Sequence, residues 1–276
     1  MKKNPFSKEE KSWMYYDWAN SAYSIIITTA VFPLFYKSAA AESGISNADS
    51  TAYLGYTIAI ATLILAILGP VLGTVADYRG FKKKFFVFFF SLGIGSTALL
   101  AFIPDGSWQL LLVCYTMAVI GSAGANVFYD AFLVDVTSEE RMDRVSSRGF
   151  GLGYIGSTIP FLLSIALILL AQMEKLPLDV SGASKIAFLI TAVWWAFFSI
   201  PILKHVRQIH FIEREPKIII NSFRRLSNTF KEIRKYKAIF LFLLAYFFYI
   251  DGVGTVITMS TSYGTDLGIG AADLLI

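Results

Sequence analysis

The sequence is poor in charge and poorer in the residues that carry soluble chemistry. Only 16% of its 276 residues are charged, against about 25% in soluble domains. That deficit excludes a disordered chain, a nucleic-acid-binding arm and an ordinary cytosolic enzyme. A single cysteine, Cys114 inside an apolar run, excludes a disulfide framework. His205 and His210, the two histidines, lie five apart among Lys and Arg and off one helical face, so no metal site is expected. No Walker-A loop is present, which argues against an ATP-driven pump, and no serine–histidine or paired-cysteine arrangement stands out. No cofactor is implied. What is abundant is apolar: 55% of residues are hydrophobic, and the mean hydropathy is +0.59.

Several apolar runs reach the ~20 residues that a helix needs to cross a bilayer. They predict seven spans at about 14–36, 53–76, 85–103, 108–130, 149–171, 186–203 and 238–263. The runs are too long for barrel strands and lack their alternation; with no water at membrane depth, helices satisfy the backbone internally. The fold class is therefore all-α and polytopic. The net charge of +4 and pI near 9.0 say less than where the charges sit. With the N-terminus in the cytoplasm, all but three of the 24 Lys and Arg fall on the inner side, from Lys2 and Lys3 through the ten between Lys204 and Lys237. Lys37, Lys175 and Lys185 are the exceptions, and the split predicts an N-terminus inside. The first run, followed by Ser38-Ala39-Ala40-Ala41, imitates a signal peptide. At about 23 residues with Asp17 and Asn20 inside, it reads instead as a retained span.

The long polar stretch 204–237 sets ten Lys/Arg against Glu213, Glu215 and Glu232. From Asn221 to Lys237, Phe223, Leu226, Phe230 and Ile233 recur at helical spacing. This predicts an amphipathic helix against the anionic inner leaflet, within a linker between two bundles. Three segments follow: a six-helix bundle over 1–203, the basic linker over 204–237, and the start of a second bundle over 238–276.

A repeat is hidden in the polar residues. Asp17, Ser21, Ser24 and Thr28 in span one, and Asp251, Thr255, Thr258 and Ser262 in span seven, share the offsets 0, 4, 7 and 11. On an α-helix these fall within about 60° of one another. Each span would present one narrow polar stripe, implying two bundles around a shared central site. Chance is the rival, since Ser and Thr are common in membrane helices, and Asp17 lies near its span's start. Asp251 is about thirteen residues inside its span, where an acid usually faces a cavity or a partner. Ser122, Asn126 and Asp130 give span four a further stripe, which either lines that cavity or meets Arg144 or Arg148. An arginine paired with Asp135 would be a simple surface contact.

After span two the chain reads Gly73-Thr-Val-Ala-Asp77-Tyr-Arg79-Gly80-Phe-Lys82-Lys83-Lys84. This resembles the Gly-x-x-x-Asp-x-x-Gly-x-(Arg/Lys) signature of the major facilitator superfamily of two-bundle, twelve-helix transporters. Gly73 is expected to allow close helix packing and Gly80 a tight turn, with the basic run anchoring the inner face. Tyr16-Asp17-Trp18-Ala19-Asn20-Ser21-Ala22-Tyr23, Tyr129-Asp130-Ala131-Phe132-Leu133-Val134-Asp135 and Phe248-Tyr249-Ile250-Asp251-Gly252-Val253 resemble the vacuole-effluxer-like permeases, related to the yeast autophagy amino-acid effluxer. Asp130 stands where that family is expected to favour Asn, and the chain stops after about seven of twelve spans. Gly151, Gly153 and Gly156 imitate a dinucleotide fingerprint, but no strand precedes them, so helix packing is expected, as for Gly69 and Gly73.

The resemblance implies a secondary active transporter: a major-facilitator six-helix bundle plus the first helix of the second, working by alternating access. Its partners would be the lipid bilayer and a small polar solute, with amino-acid efflux leading and no nucleic acid. The intramembrane acids imply protons as the coupling ion. The substrate or proton pathway would use Asp17, Asn20, Ser24, Asn126, Asp130, Asp251, Thr255 and Thr258. The gating motif would use Gly73, Asp77, Arg79, Gly80, Lys82 and Lys83, with Asp77 stabilising an outward-open state. The location would be a prokaryotic plasma membrane, or a vacuolar or lysosomal membrane in a eukaryote. Residues 1–276 alone are expected not to transport. Two rivals remain: a half-transporter acting as scaffold or sensor, and an intramembrane lipid-modifying enzyme. The second needs clustered acids, and here they are scattered one per helix.

Overall fold

The computed structural model describes residues 5–214, 216 and 218–275. Expectations that fall on Lys2, Lys3, Glu215, Lys217 and Ile276 lie outside the described residues. The order of elements is α1 (Lys8–Ala22), a π-helical segment (Tyr23–Ala30), α2 (Val31–Glu42), α3 (Asn47–Ala76), α4 (Phe81–Leu100), α5 (Trp108–Ala131) and α6 (Leu133–Val136). Then come α7 (Glu139–Gln172), α8 (Val180–Phe198), α9 (Ile200–His205), α10 (Ile218–Lys235), α11 (Lys237–Asp266) and α12 (Ala271–Leu275). Seven helical stretches are long and apolar enough to cross a membrane. They are α1 through α2, α3, α4, α5, α7, α8 through α9, and α11, in the predicted order. No strand occurs among the described residues.

Local chemistry sets the ends. Ser7 caps α1 by accepting from Glu10 N at 3.0 Å, while the Glu10 carboxylate accepts from Ser7 N at 2.8 Å. Asp179 caps α8 through Gly182 N at 2.8 Å. Gly80, at φ 80°, turns the chain from α3 into α4, a left-handed conformation that a side chain would strain. Within the spans, hydroxyls bond back to their own helix: Thr97 to Gly93 O at 2.7 Å, Thr191 to Ala187 O at 2.8 Å, and Ser164 to Pro160 O at 2.8 Å.

Close approach of helices uses small residues, though not the expected ones. A Cβ on Gly121 of α5 would stand 2.2 Å from Gly93 N of α4. A Cβ on Gly153 of α7 would stand 2.6 Å from Ser21 Oγ, and on Gly156 2.4 Å from the Trp18 ring. Among the described residues, Gly69, Gly73 and Gly151 meet nothing within 4 Å, so the packing expected of them is not seen there. They lie on faces that the described residues leave uncovered. Aromatic rings fill the bundle core, with Trp13 stacked on Tyr129 at 4.4 Å and Phe32 on Tyr115 at 4.0 Å.

Span one is not one α-helix. Residues 23–30 wind as a π-helix, and Thr29 Oγ1 donates to Ser24 O at 3.1 Å, five residues back. The 100° step behind the predicted stripe holds for α1 and gives way to a wider turn from Tyr23 onward. Ser24 is exposed, whereas Asp17 is buried.

Candidate functional site: an intramembrane polar cluster between two clamped ends

The candidate pathway residues divide into two groups. Asp17 and Asn20, one turn apart on α1, face α5. There Asn20 Nδ2 donates to Asn126 Oδ1 at 2.9 Å, and Asp130 follows one turn after Asn126. Asp17 and Asn20 are buried at 8% and 6% exposure, while Asp130 stands open. Glycine makes the Asp17 position possible, because a Cβ on Gly149 would lie 2.9 Å from Asp17 Oδ2. Trp13 Nε1 donates to Tyr129 O at 2.9 Å and seats the ring beside this group. Asp17 Oδ2 is buried beside the Tyr129 hydroxyl and the Tyr16 hydroxyl beside Trp195, while Asn20 Oδ1 is buried with no hydrogen bond to the protein. Buried polar atoms rarely stay unpaired. The cluster offers acceptors and donors suited to water or a small polar ligand. Asp130 makes no ion pair with Arg144 or Arg148 among the described residues; Arg144 lies instead over the Phe6 ring at 4.6 Å.

The second group sits on α11. Asp251 lies mid-helix and is exposed, as is Thr255, whose Oγ1 donates to Asp251 O at 3.0 Å. Thr258 Oγ1 donates to Gly254 O at 2.9 Å. None of these three touches the first group through a side-chain hydrogen bond. Instead α11 meets the bundle at one end. Thr261 Oγ1 donates to Thr29 O at 2.5 Å, and Thr51 pairs with Ser262 Oγ at 3.1 Å. Asp266 takes both Thr51 Oγ1 at 2.7 Å and the ammonium of Lys37, which is only 4% exposed. Sequence reading counted Lys37 only as a charge on the far side; its counterion lies 229 residues away. At the same end Asp105 is held below the usual carboxylate range by Lys185 at 2.7 Å, with Ser181 also at 2.7 Å.

The opposite, basic end carries the loop from Gly73 to Lys84 that resembles the facilitator signature. Asp77 Oδ2 pairs with Arg225 of α10 at 3.3 Å, and its carbonyl accepts from Ile212 N at 2.8 Å. Arg79 pairs with Glu213 at 3.1 Å. Gly80 N donates to Gln208 Oε1 at 2.9 Å, and Gln208 Nε2 donates to Ala76 O at 2.8 Å. Lys83 donates to Leu203 O at 2.6 Å and Val206 O at 2.7 Å, capping the last carbonyls of span six. Lys82 is buried against Asp135 at 2.7 Å, and Asp135 also accepts from Ile209 N and His210 N. The expected surface arginine partner of Asp135 is thereby corrected. Its carboxylate is fully buried, and the amine of Lys82 reaches it first. Sequence reading also missed Glu10, which accepts two hydrogen bonds from Arg141 at 2.8 and 2.7 Å and one from Thr137 at 2.7 Å. The capping-box spacing of Ser7 and Glu10 was its only signal. No group of three or more His, Cys, Asp or Glu that could hold a metal ion occurs among the described residues.

Comparison with known proteins places the chain in a family. A family model described as vacuole effluxer Atg22 like matches residues 7–143 and 134–276. A Bacillus subtilis protein named as an uncharacterized MFS-type transporter, YxiO, is 71% identical, over 98% of this chain and 63% of its own length. An uncharacterized protein of Aquifex aeolicus is 33% identical, over 67% of this chain and 44% of its own. Autophagy-related protein 22 of Coccidioides immitis is 22% identical, over 82% and 47%. The chain thus spans less than two thirds of these relatives, and no solved structure matches it. A membrane protein with seven helices long and apolar enough to cross a bilayer among the described residues, a facilitator-type motif loop and a family match along nearly its whole length, the chain belongs to the vacuole effluxer Atg22-like family.

Proposed function

We propose that the chain forms the first bundle and opening helix of a secondary transporter that moves a small polar solute by alternating access. One observation carries the reading: α11 is tied to the bundle at one end only, by Thr261, Ser262 and Asp266. Asp130 and Asp251 are exposed among the described residues, away from that tie. A polar site at membrane depth, tied at one end, is what an alternating-access cycle uses. The skew of Lys and Arg supports the basic end as cytoplasmic, in a bacterial plasma membrane. An amino acid suits the cluster, since carboxylates at Asp17, Asp130 and Asp251 can hold an ammonium while the Asn20–Asn126 pair meets polar groups. The same acids are the candidates for proton coupling, being the carboxylates placed at membrane depth. The names carried by relatives support transport rather than enzymology.

The test is transport by the complete protein in vesicles, with and without a proton gradient, on a panel of amino acids. Asp251→Asn should abolish gradient-driven flux while sparing solute exchange if it carries the proton, and both should fall if it binds the amine. Asp17→Asn should weaken both activities. Full gradient-driven flux in all three of Asp17→Asn, Asp130→Asn and Asp251→Asn would remove the acids from the mechanism.

A further inference from the structure

A cavity of about 640 Å³ at the basic end lies outside the polar cluster. Arg79, Lys83, Lys84 and Arg207 line it, with Phe211 and Val87 as apolar walls. Its charge is of one sign and largely uncompensated. The nearby acids are committed elsewhere, Asp77 to Arg225 and Asp135 to Lys82, while Glu213 meets Arg79 at the rim with both side chains well exposed. Lys84 and Arg207 form no ion pair among the described residues, and Lys83 uses two of its three protons on carbonyls. Four cations facing one space repel one another unless an anion enters it. The walls show which kind. Phe211 lies under the Arg79 guanidinium at 5.0 Å, and Val87, 39% exposed, is the second turn of α4 and so enters the apolar span. Phe88 beside it is 60% exposed on that outer surface. A polar floor that continues into an apolar, outward-facing wall fits a molecule that is a phosphate at one end and hydrocarbon at the other.

We infer that this cavity binds the phosphate headgroup of an anionic phospholipid, with an acyl chain running along Val87. Basic pockets at the ends of membrane helices recognise such headgroups by charge. The same loop contributes Asp77 and Lys82 to the clamp on α10 and α6, so a bound lipid would bear on the segment that joins span two to the linker.

Native mass spectrometry tests it, on the chain released from nanodiscs of phosphatidylcholine doped with phosphatidylglycerol. The wild-type chain should retain one phosphatidylglycerol. At about 1 kcal/mol per basic residue near an anionic surface, Arg207→Gln/Lys84→Gln should cut retention roughly thirtyfold, and either single substitution about fivefold. Arg207→Lys/Lys84→Arg should retain the lipid, as should Lys231→Gln/Arg234→Gln, which removes equal charge from α10. Circular dichroism checks that each variant keeps its helices, and the single substitutions carry the test if the double loses them. Undiminished retention in the glutamine variants, or equal loss in the α10 variant or in the charge-conserving pair, would overturn the inference. Displacement of the lipid by millimolar inorganic phosphate would assign the cavity to soluble phosphate and overturn the lipid source.

Discussion

Taking away one partner of the Lys82–Asp135 pair leaves the other charged where almost no water reaches it. Lys82 has 7% side-chain exposure and Asp135 none. Breaking a buried pair by truncation costs about 3–5 kcal/mol, while replacing both partners by apolar groups of similar size can be neutral. Asp135→Ala and Lys82→Ala should each destabilise the chain by that order in denaturant unfolding in micelles. Lys82→Met/Asp135→Leu should cost less than either, although Ile209 N and His210 N then lose their acceptor. At the other end, the Asp105 carboxyl has a folded-state pKa below its unfolded one. Its contribution to stability is therefore full above the usual carboxylate range near 4 and is lost as pH falls through the lowered value. Asp105→Asn should remove that part of the acid-side loss in melting temperature, and Lys185→Met should do the same. At this scale the sequence was half legible. Lys82 and Asp77 were readable as motif residues, because their spacing is local. Burial of Lys82 was not, since the acid that receives it lies 53 residues on. Gly73 and Gly121 look alike in sequence, yet only Gly121 has a helix against it.

Among the elements, α10 departs least from expectation. It runs from Ile218 to Lys235, starting three residues and ending two residues before the expected bounds, with Phe223 and Phe230 exposed at 53% and 57%. Ser222 is buried against the bundle and Arg225 is bound to Asp77, so the stripe through Ile219, Phe223 and Phe230 looks away from it. Only Tyr236 separates α10 from α11, which holds the helix at the level where a span begins. A peptide of residues 218–235 should be unordered in buffer and helical on vesicles containing phosphatidylglycerol, with affinity falling as salt rises. Phe223→Asp/Phe230→Asp should abolish the transition; a helical signal of equal size in that variant would contradict membrane docking. The π-helical segment is the counter-example. Periodicity assumes 3.6 residues per turn, and Tyr23–Ala30 carry no Gly or Pro to announce a different winding. Seven spans could be read because each run is long and bounded by charge. The rotation within span one could not, because it depends on what packs around it.

For the whole molecule, the two ends differ in what holds them. The basic end is joined by the linker to the span two–span three turn. The far end is joined by α11 to span one and span two. Single cysteines at Asn47 and Ser227, both exposed, placed in a Cys114→Ala background, should react with an impermeant reagent from opposite faces of a sealed membrane. Labelling from one face would invert the assignment of the basic end. A cysteine pair at Thr29 and Thr261 should cross-link on oxidation in the closed form, and Lys37→Ala should lower the yield.

Lys37 carries a consequence for timing. Its ammonium has little water and one carboxylate, Asp266, so separating the far ends would strand it unless the open form supplies another acceptor. At about 3–5 kcal/mol for an orphaned buried charge, the parted form would be populated on the order of one molecule in a few hundred to a few thousand. On the proposed transport cycle, the resting protein would leak little through that face, and its turnover would wait on a rare event rather than on the solute's arrival. Lys37→Met, which leaves no charge to strand, should shorten the wait and raise the leak together.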